Sequence, residues 1–210
     1  NGQNPILNYI KNSNADIVCM QEYAGSETAK IHLSNKEIRQ ALKDYPYHNI
    51  KQVGKTGAGS QLACYSKFPI LSARMLDYRS NYNGSMVYEI KIGKDTVLLI
   101  NNHLESNKLT REDKVVYEDM LKDPKAGKVK SGVRQLVNKL AEASAIRSAQ
   151  ARTIAQEIAH SPYPSVIVCG DFNDSPISYA HRVISQDMDD AFTESGCGLG
   201  ISYNQNKFYF

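Results

Sequence analysis

The stretch that most restricts the fold is Pro164–Pro176, which reads Pro-Ser-Val-Ile-Val-Cys-Gly-Asp-Phe-Asn-Asp-Ser-Pro. Val166, Ile167, Val168 and Cys169 form a β-branched apolar run closed by turn-formers, which predicts a strand buried on both faces and ending at Gly170. Asp171 and Asn173 then stand where that strand opens into a turn. A carboxylate and a carboxamide two residues apart can address one phosphate or one water without competing for space. Asx side chains also bond nearby backbone groups, so capping of the turn is the alternative role for Asp171, Asn173 and Asp174.

Two further stretches share the pattern. Asp16-Ile-Val-Cys-Met-Gln21-Glu22 and Val97-Leu-Leu-Ile-Asn101-Asn102-His103-Leu-Glu-Ser106 are again apolar runs that stop on polar groups. Three strands thus deliver Glu22, His103 and Asp171, with Asn173, at their ends. In this order and spacing, Gln-Glu, Asn-x-His-Leu and Gly-Asp-x-Asn resemble the motifs of the endonuclease/exonuclease/phosphatase superfamily, whose members resemble deoxyribonuclease I. His103-Leu-Glu-Ser106 is particularly similar to the form in tyrosyl-DNA phosphodiesterases. The Gly-Asp-Phe-Asn-Asp run is also similar to members acting on lipids and phosphosugars.

The resemblance implies a four-layer α/β/β/α sandwich with two mostly antiparallel sheets, formed by residues 1–210 as a single domain. Against the family pattern this sequence lacks the first strand, which supplies an asparagine, and the final strand, which leads to a histidine. The resemblance also implies roles. Glu22 would hold Mg²⁺ or Mn²⁺, and Asp171 would align or deprotonate a water. Asn173 would donate to a phosphoryl oxygen, and His103 would stabilise the transition state or protonate the leaving group. Asn101 and Ser106 stand beside these residues in supporting positions.

Length and composition are compatible with this architecture. A chain of 210 residues can bury a sizeable core without dividing. Of its four cysteines, Cys19, Cys64 and Cys169 lie inside apolar strand-like runs, where a thiol acts as a small hydrophobe. Neither CxxC nor Cys/His metal spacing occurs, which argues against a zinc site or a disulfide framework. No stretch approaches a membrane span and no signal peptide is visible. The chain begins at Asn1 without methionine, so any membrane association would depend on segments outside it, and localisation stays open. Net charge is only +3, but residues 107–152 hold 11 Lys/Arg against 6 Asp/Glu.

Taken in order, Pro5–Asn14 predicts a helix with Pro5 in its first turn, and Ser34–Leu42 another with a Ser34/Glu37 capping box. Tyr45-Pro-Tyr-His48 breaks that second helix. Gly54–Ser60 is glycine-rich, yet it lacks phosphate-loop spacing and precedes a strand, Gln61–Ser66, so it reads as a hairpin loop. The run Ser66–Ile70 resembles a family tract joining two strands of the first sheet. Met86–Ile92 and Thr96–Ile100 predict strands joined by a tight turn at Gly93-Lys94-Asp95. Residues 107–132 read as an insertion forming a mobile arm or a short helical excursion, which serves either as a basic lid over an anionic substrate or as a solvated segment. Val133–His160 is the most helical stretch; Arg147 and Arg152 could face phosphate, but are assigned to a solvated face. Ser178–Ile184 predicts a short helix, and a strand starts at Lys207.

Two function classes remain. One is a metal-dependent hydrolase of phosphate esters, most simply a phosphodiesterase, whose partner is a phosphate-ester substrate with DNA, RNA, and phosphorylated small molecules or lipid headgroups among the candidates. The other is a binding or scaffold protein that keeps the fold without the chemistry. No obligatory protein partner is evident.

Overall fold

Helix and strand termini follow local chemistry closely. In the computed structural model, which describes residues 4–25, 33–54, 60–78, 80–122, 127–198, 204–205 and 208–209, helix α1 (Pro5–Ser13) begins after Asn4, whose side chain accepts from the N–H groups of Ile6 and Leu7. It ends at Asn14, which adopts the left-handed conformation with φ 54° that Asn tolerates at a helix end. Helix α2 (Asn35–Ala41) has the expected capping box between Ser34 and Glu37. The hydrogen bonds from Ser34 hold the Glu37 carboxyl below its ordinary pKa.

The chain resolves into two units, residues 1–104 with 157–171 and residues 105–156 with 172–210. The first unit holds seven strands: β1 (Ile17–Met20), β2 (Tyr47–Gln52), β3 (Gln61–Ser66), β4 (Ile70–Met75), β5 (Gly84–Ile92), β6 (Asp95–His103) and β7 (Ser165–Asp171). They form a three-stranded sheet in the order β1-β3-β2 and a four-stranded sheet in the order β4-β5-β6-β7. Every pairing is antiparallel except β6 with β7. This is the expected α/β class with two mostly antiparallel sheets.

Alternation along β3 shows how the layers are built. Leu62 and Cys64 join Val53, Met86, Tyr88, Ile90 and Leu99 in a core shared by both sheets. Ala63 and Tyr65 face the other way, into a second core with Ile10 of α1 and with Ile38, Leu42 and Tyr45 in and around α2. Each fully buried aliphatic or aromatic side chain here contributes roughly 1.5–3 kcal/mol. Cys19 and Cys169 pack against the first of these cores, as expected of hydrophobe-like thiols. The cysteines are free thiols: the hydrogen bond of Cys19 with Cys169 favours its thiolate, but its hydrogen bond with Cys64 and its burial outweigh this and push the Cys19 pKa up. For Cys169 the hydrogen bond with Cys19 and burial both raise it.

The second unit contains α3 (Arg111–Lys122), most of α4 (Gly127–Ala159), α5 (Tyr179–Ile184), α6 (Ala191–Ser195) and the paired strands β8 (Asn204–Gln205) and β9 (Phe208–Tyr209). The final turn of α4, from Glu157, belongs to the first unit, where Glu157 pairs with Arg74 of β4. Among the described residues no helix is long and apolar enough to cross a membrane.

Three readings change. The strand Val166–Cys169 is present but not buried on both faces: β7 has a strand on one side only among the described residues, and Ile167 is 45 % exposed. Ser66–Ile70 joins the two sheets, since β3 and β4 belong to different ones. Of the two forms expected for residues 107–132, the helical one is seen, in α3 and the start of α4. Arg147, assigned to a solvated helix face, is 3 % exposed, whereas Arg152 is exposed. Pro124 and Lys125, the centre of the Gly54–Ser60 loop (55–59) and Lys207 lie outside the described residues.

Candidate active site

Alternation along β6 places Val97, Leu99, Asn101 and His103 on one face, with Leu99 in the core between the sheets. Asn101 therefore points toward the first sheet. It is fully buried, donates its amide to the carbonyls of Ala63 at 3.3 Å and Met20 at 3.5 Å, and accepts from Gln21 Nε2 at 2.6 Å. This ties the end of β1 to β6, and Glu22 follows Gln21 with φ 51°. A left-handed backbone at a glutamate is uncommon and is held here by its neighbours.

On the other side of β6, β7 runs parallel and in register, so that His103 is paired directly with Asp171. Gly170, with φ 137°, sits against Asn102. A Cβ there would lie 2.0 Å from the Asn102 carbonyl oxygen, so only glycine permits this approach. Asn102 is anchored too, accepting from Ser85 Oγ at 2.5 Å and donating to the Cys169 carbonyl at 3.1 Å.

These strand ends converge on one imidazole. His103 Nε2 lies 4.0 Å from Glu22 Oε1 and 4.0 Å from Asp171 Oδ2. The ring is 5 % exposed, while the Glu22 and Asp171 side chains are 78 % and 51 % exposed. Its other nitrogen, Nδ1, is 3.0 Å from Ser60 Oγ, which also lies 3.3 Å from the Tyr82 carbonyl oxygen. Ser60 has a single proton. If it donates to Tyr82, it accepts from Nδ1–H and Nε2 presents a lone pair; if it donates to Nδ1, Nε2 carries the hydrogen. In both cases the nitrogen directed at the carboxylates is Nε2. An open recess of about 380 Å³, lined by Glu22, Tyr23, Ala24, Gly25, Ser60 and Gln61, lies alongside.

The structure thus brings together Glu22, Asn101, His103 and Asp171. Asn173 and Ser106 belong to the second unit. Asn173 has φ 50° and its carbonyl accepts from Asn107 at 3.4 Å; Ser106 is half-buried. Gln21, noted as part of a motif, turns out to be the clamp on Asn101. Ser60 was read only as part of a loop, because nothing local marks a serine that meets a histidine 43 residues later.

Among the described residues no group of three or more His, Cys, Asp or Glu is arranged to hold a metal ion. The donors at hand are two exposed carboxylates. Such a set fits a hard cation that keeps several waters, as Mg²⁺ does, and does not fit zinc, which favours nitrogen and sulfur.

The model of the endonuclease/exonuclease/phosphatase family matches residues 1–208. The chain belongs to that family. Among solved structures it is similar to sphingomyelinase C from Streptomyces griseocarneus, with 19 % identity, a TM-score of 0.56, and 86 % of this chain and 61 % of the other covered. It is also similar to Staphylococcus aureus beta toxin, with 17 % identity, a TM-score of 0.53 and coverages of 85 % and 59 %. A third is D. rerio TDP2 humanised by 14 mutations, with 15 % identity, a TM-score of 0.50 and coverages of 89 % and 59 %. At these identities the likeness establishes the fold, and the chain spans about three fifths of each neighbour. No curated protein matches it.

Proposed function

We propose that this chain is the catalytic part of a Mg²⁺- or Mn²⁺-dependent phosphodiesterase. The observation that carries the reading is the convergence of Glu22 and Asp171 on one nitrogen of a buried imidazole, each 4.0 Å from Nε2. Family membership supports the same class, hydrolases of phosphate esters. Glu22 would hold the cation through a carboxylate oxygen, with waters completing its shell. When bound, the ion supplies positive charge against the nonbridging phosphoryl oxygens.

The protein's own groups divide the remaining work. Asp171 orients the attacking water and takes its proton as the new P–O bond forms. His103 gives the proton on Nε2 to the departing oxygen as the old P–O bond breaks. Asn173 donates its amide hydrogens to a phosphoryl oxygen whose charge grows in the transition state. Asn101 and Gln21 keep the ends of β1 and β6 in place, and Ser60 orients the ring. Ser106 follows directly on the His103 strand and is assigned a supporting role.

A scaffold that had lost catalysis would have no need of two solvent-facing carboxylates around a buried, oriented histidine. The substrate is a phosphodiester, either in nucleic acid or in a smaller phosphorylated molecule, and residues 107–132, which we take as an insertion, bear on that choice through their lysines. The test is hydrolysis of bis-p-nitrophenyl phosphate and of single-stranded DNA by the intact protein. Activity should vanish in EDTA and return with Mg²⁺ or Mn²⁺. Full activity after thorough chelation, or none with either cation, overturns the reading.

A further inference from the structure

Helix α4 carries a guanidinium that this scheme does not use. Arg147 is 3 % exposed, so its charge must be matched by protein groups. Its Nε–H donates to Asp174 Oδ2 at 2.9 Å. Its Nη1 donates to the Glu105 carbonyl at 2.9 Å and to Asn107 Oδ1 at 2.8 Å. One turn along the helix, Gln150 Oε1 accepts from the Glu105 N–H at 2.9 Å. Arg147 and Gln150 therefore grip both backbone groups of Glu105, two residues after His103.

The same arginine reaches the turn after Asp171. It binds Asp174 directly, and Asn107, which it holds through Oδ1, donates its own amide to the Asn173 carbonyl at 3.4 Å. Asn173 is thus flanked by two contacts that both trace to Arg147, and these select its left-handed backbone, φ 50°, from the conformations open to Asn. A planar fork can serve three acceptors on two chain segments at once; an ammonium on a flexible stem cannot reproduce that geometry.

We propose that Arg147 is a positioning residue for Asn173, fixing the 173–174 turn against the segment that follows β6. The inference rests on the phosphodiesterase reading, in which the Asn173 amide serves the transition state. Arg147 touches neither substrate nor reacting atoms and acts by placing a group that does.

The experiment is steady-state kinetics on bis-p-nitrophenyl phosphate with Mg²⁺, using the intact protein as wild type, Arg147→Lys, Asn173→Ala and the double variant, with folding checked by circular dichroism. Arg147→Lys should lower kcat by up to about 100-fold, the cost of displacing a reacting group by roughly 1 Å. KM should change by less than about twofold, as for an interaction made only in the transition state. The double variant should be no slower than Asn173→Ala alone, because both changes remove one function. A purely structural arginine would instead give losses that multiply. That result, or a wild-type kcat in Arg147→Lys, overturns the proposal. Should Arg147→Lys leave too little folded protein, Asp174→Asn reads the same contact from its other end with the same expectations. Failure of the underlying reading looks different: a wild-type protein without activity, or an Asn173→Ala variant as fast as wild type, removes that reading and this inference with it.

Discussion

Strands β6 and β7 are neighbours, run parallel and end level with each other, yet they live in different surroundings. β6 has a strand on either side and is buried from Val97 to His103. β7 is paired on one side among the described residues, and no residue in it is fully buried. The groups they deliver differ accordingly. An imidazole that must aim one nitrogen gains from a rigid strand and from a second anchor at Nδ1. A carboxylate that must meet water and a hydrated cation gains from an open one. Placement of a site residue and access to it are thus supplied by two adjacent strands.

The largest expected effect tests that division directly. Asp171→Asn and His103→Ala should each lower kcat by roughly 100- to 10,000-fold, the range for a removed acid or base. Their stabilities should diverge, because Asp171→Asn changes an exposed group, worth within about 0.5 kcal/mol, whereas His103→Ala empties a buried one. Equal losses of melting temperature would break the comparison. The same contrast appears without chemistry in urea denaturation. Leu99→Ala on β6 should cost about 2–5 kcal/mol, as for other core truncations, and Ile167→Ala on β7 should cost about 1 kcal/mol or less.

Smaller effects sharpen the account. Ser60→Ala removes the anchor at Nδ1 and should slow kcat by roughly tenfold with KM held, since one hydrogen bond of ~1.4 kcal/mol is a factor of ten in rate. An unchanged kcat would show that the strand alone orients the ring. In the core of both sheets, near Cys19, Cys64 and Cys169, the buried Tyr88 hydroxyl has no hydrogen-bond partner among the described residues. Tyr88→Phe should therefore be neutral or stabilising by up to about 1 kcal/mol in thermal melts, and a loss of stability would reveal a partner for that hydroxyl.

What could be read from the sequence was whatever its local pattern encodes. The apolar runs of β1, β3, β5 and β6 and the Gly93 turn are local, and they placed Glu22 and His103 at strand ends correctly. β2 was not recognised because Tyr47–Gln52 is largely exposed and carries no apolar run; it becomes a strand because β3 offers its backbone. The burial of β7 was misjudged for a related reason: four apolar residues show a strand, while its position in the sheet decides how many faces are covered. Arg147 was misassigned because the partners that make its burial affordable lie 27 to 42 residues away in the chain. Charge on a helix reads as solvated until those partners are known.

The most direct test of a shared metal-assisted site is magnetic. In an imidazole-edited NMR spectrum of the intact protein, substoichiometric Mn²⁺ should broaden the ring signals of His103, which lies 4.0 Å from Glu22, well before those of His48 and His160. The Glu22→Gln variant should need at least about tenfold more Mn²⁺ for the same broadening, by loss of the anionic oxygen ligand. His103 signals that stay sharp at a Mn²⁺ concentration supporting full hydrolysis would contradict the account.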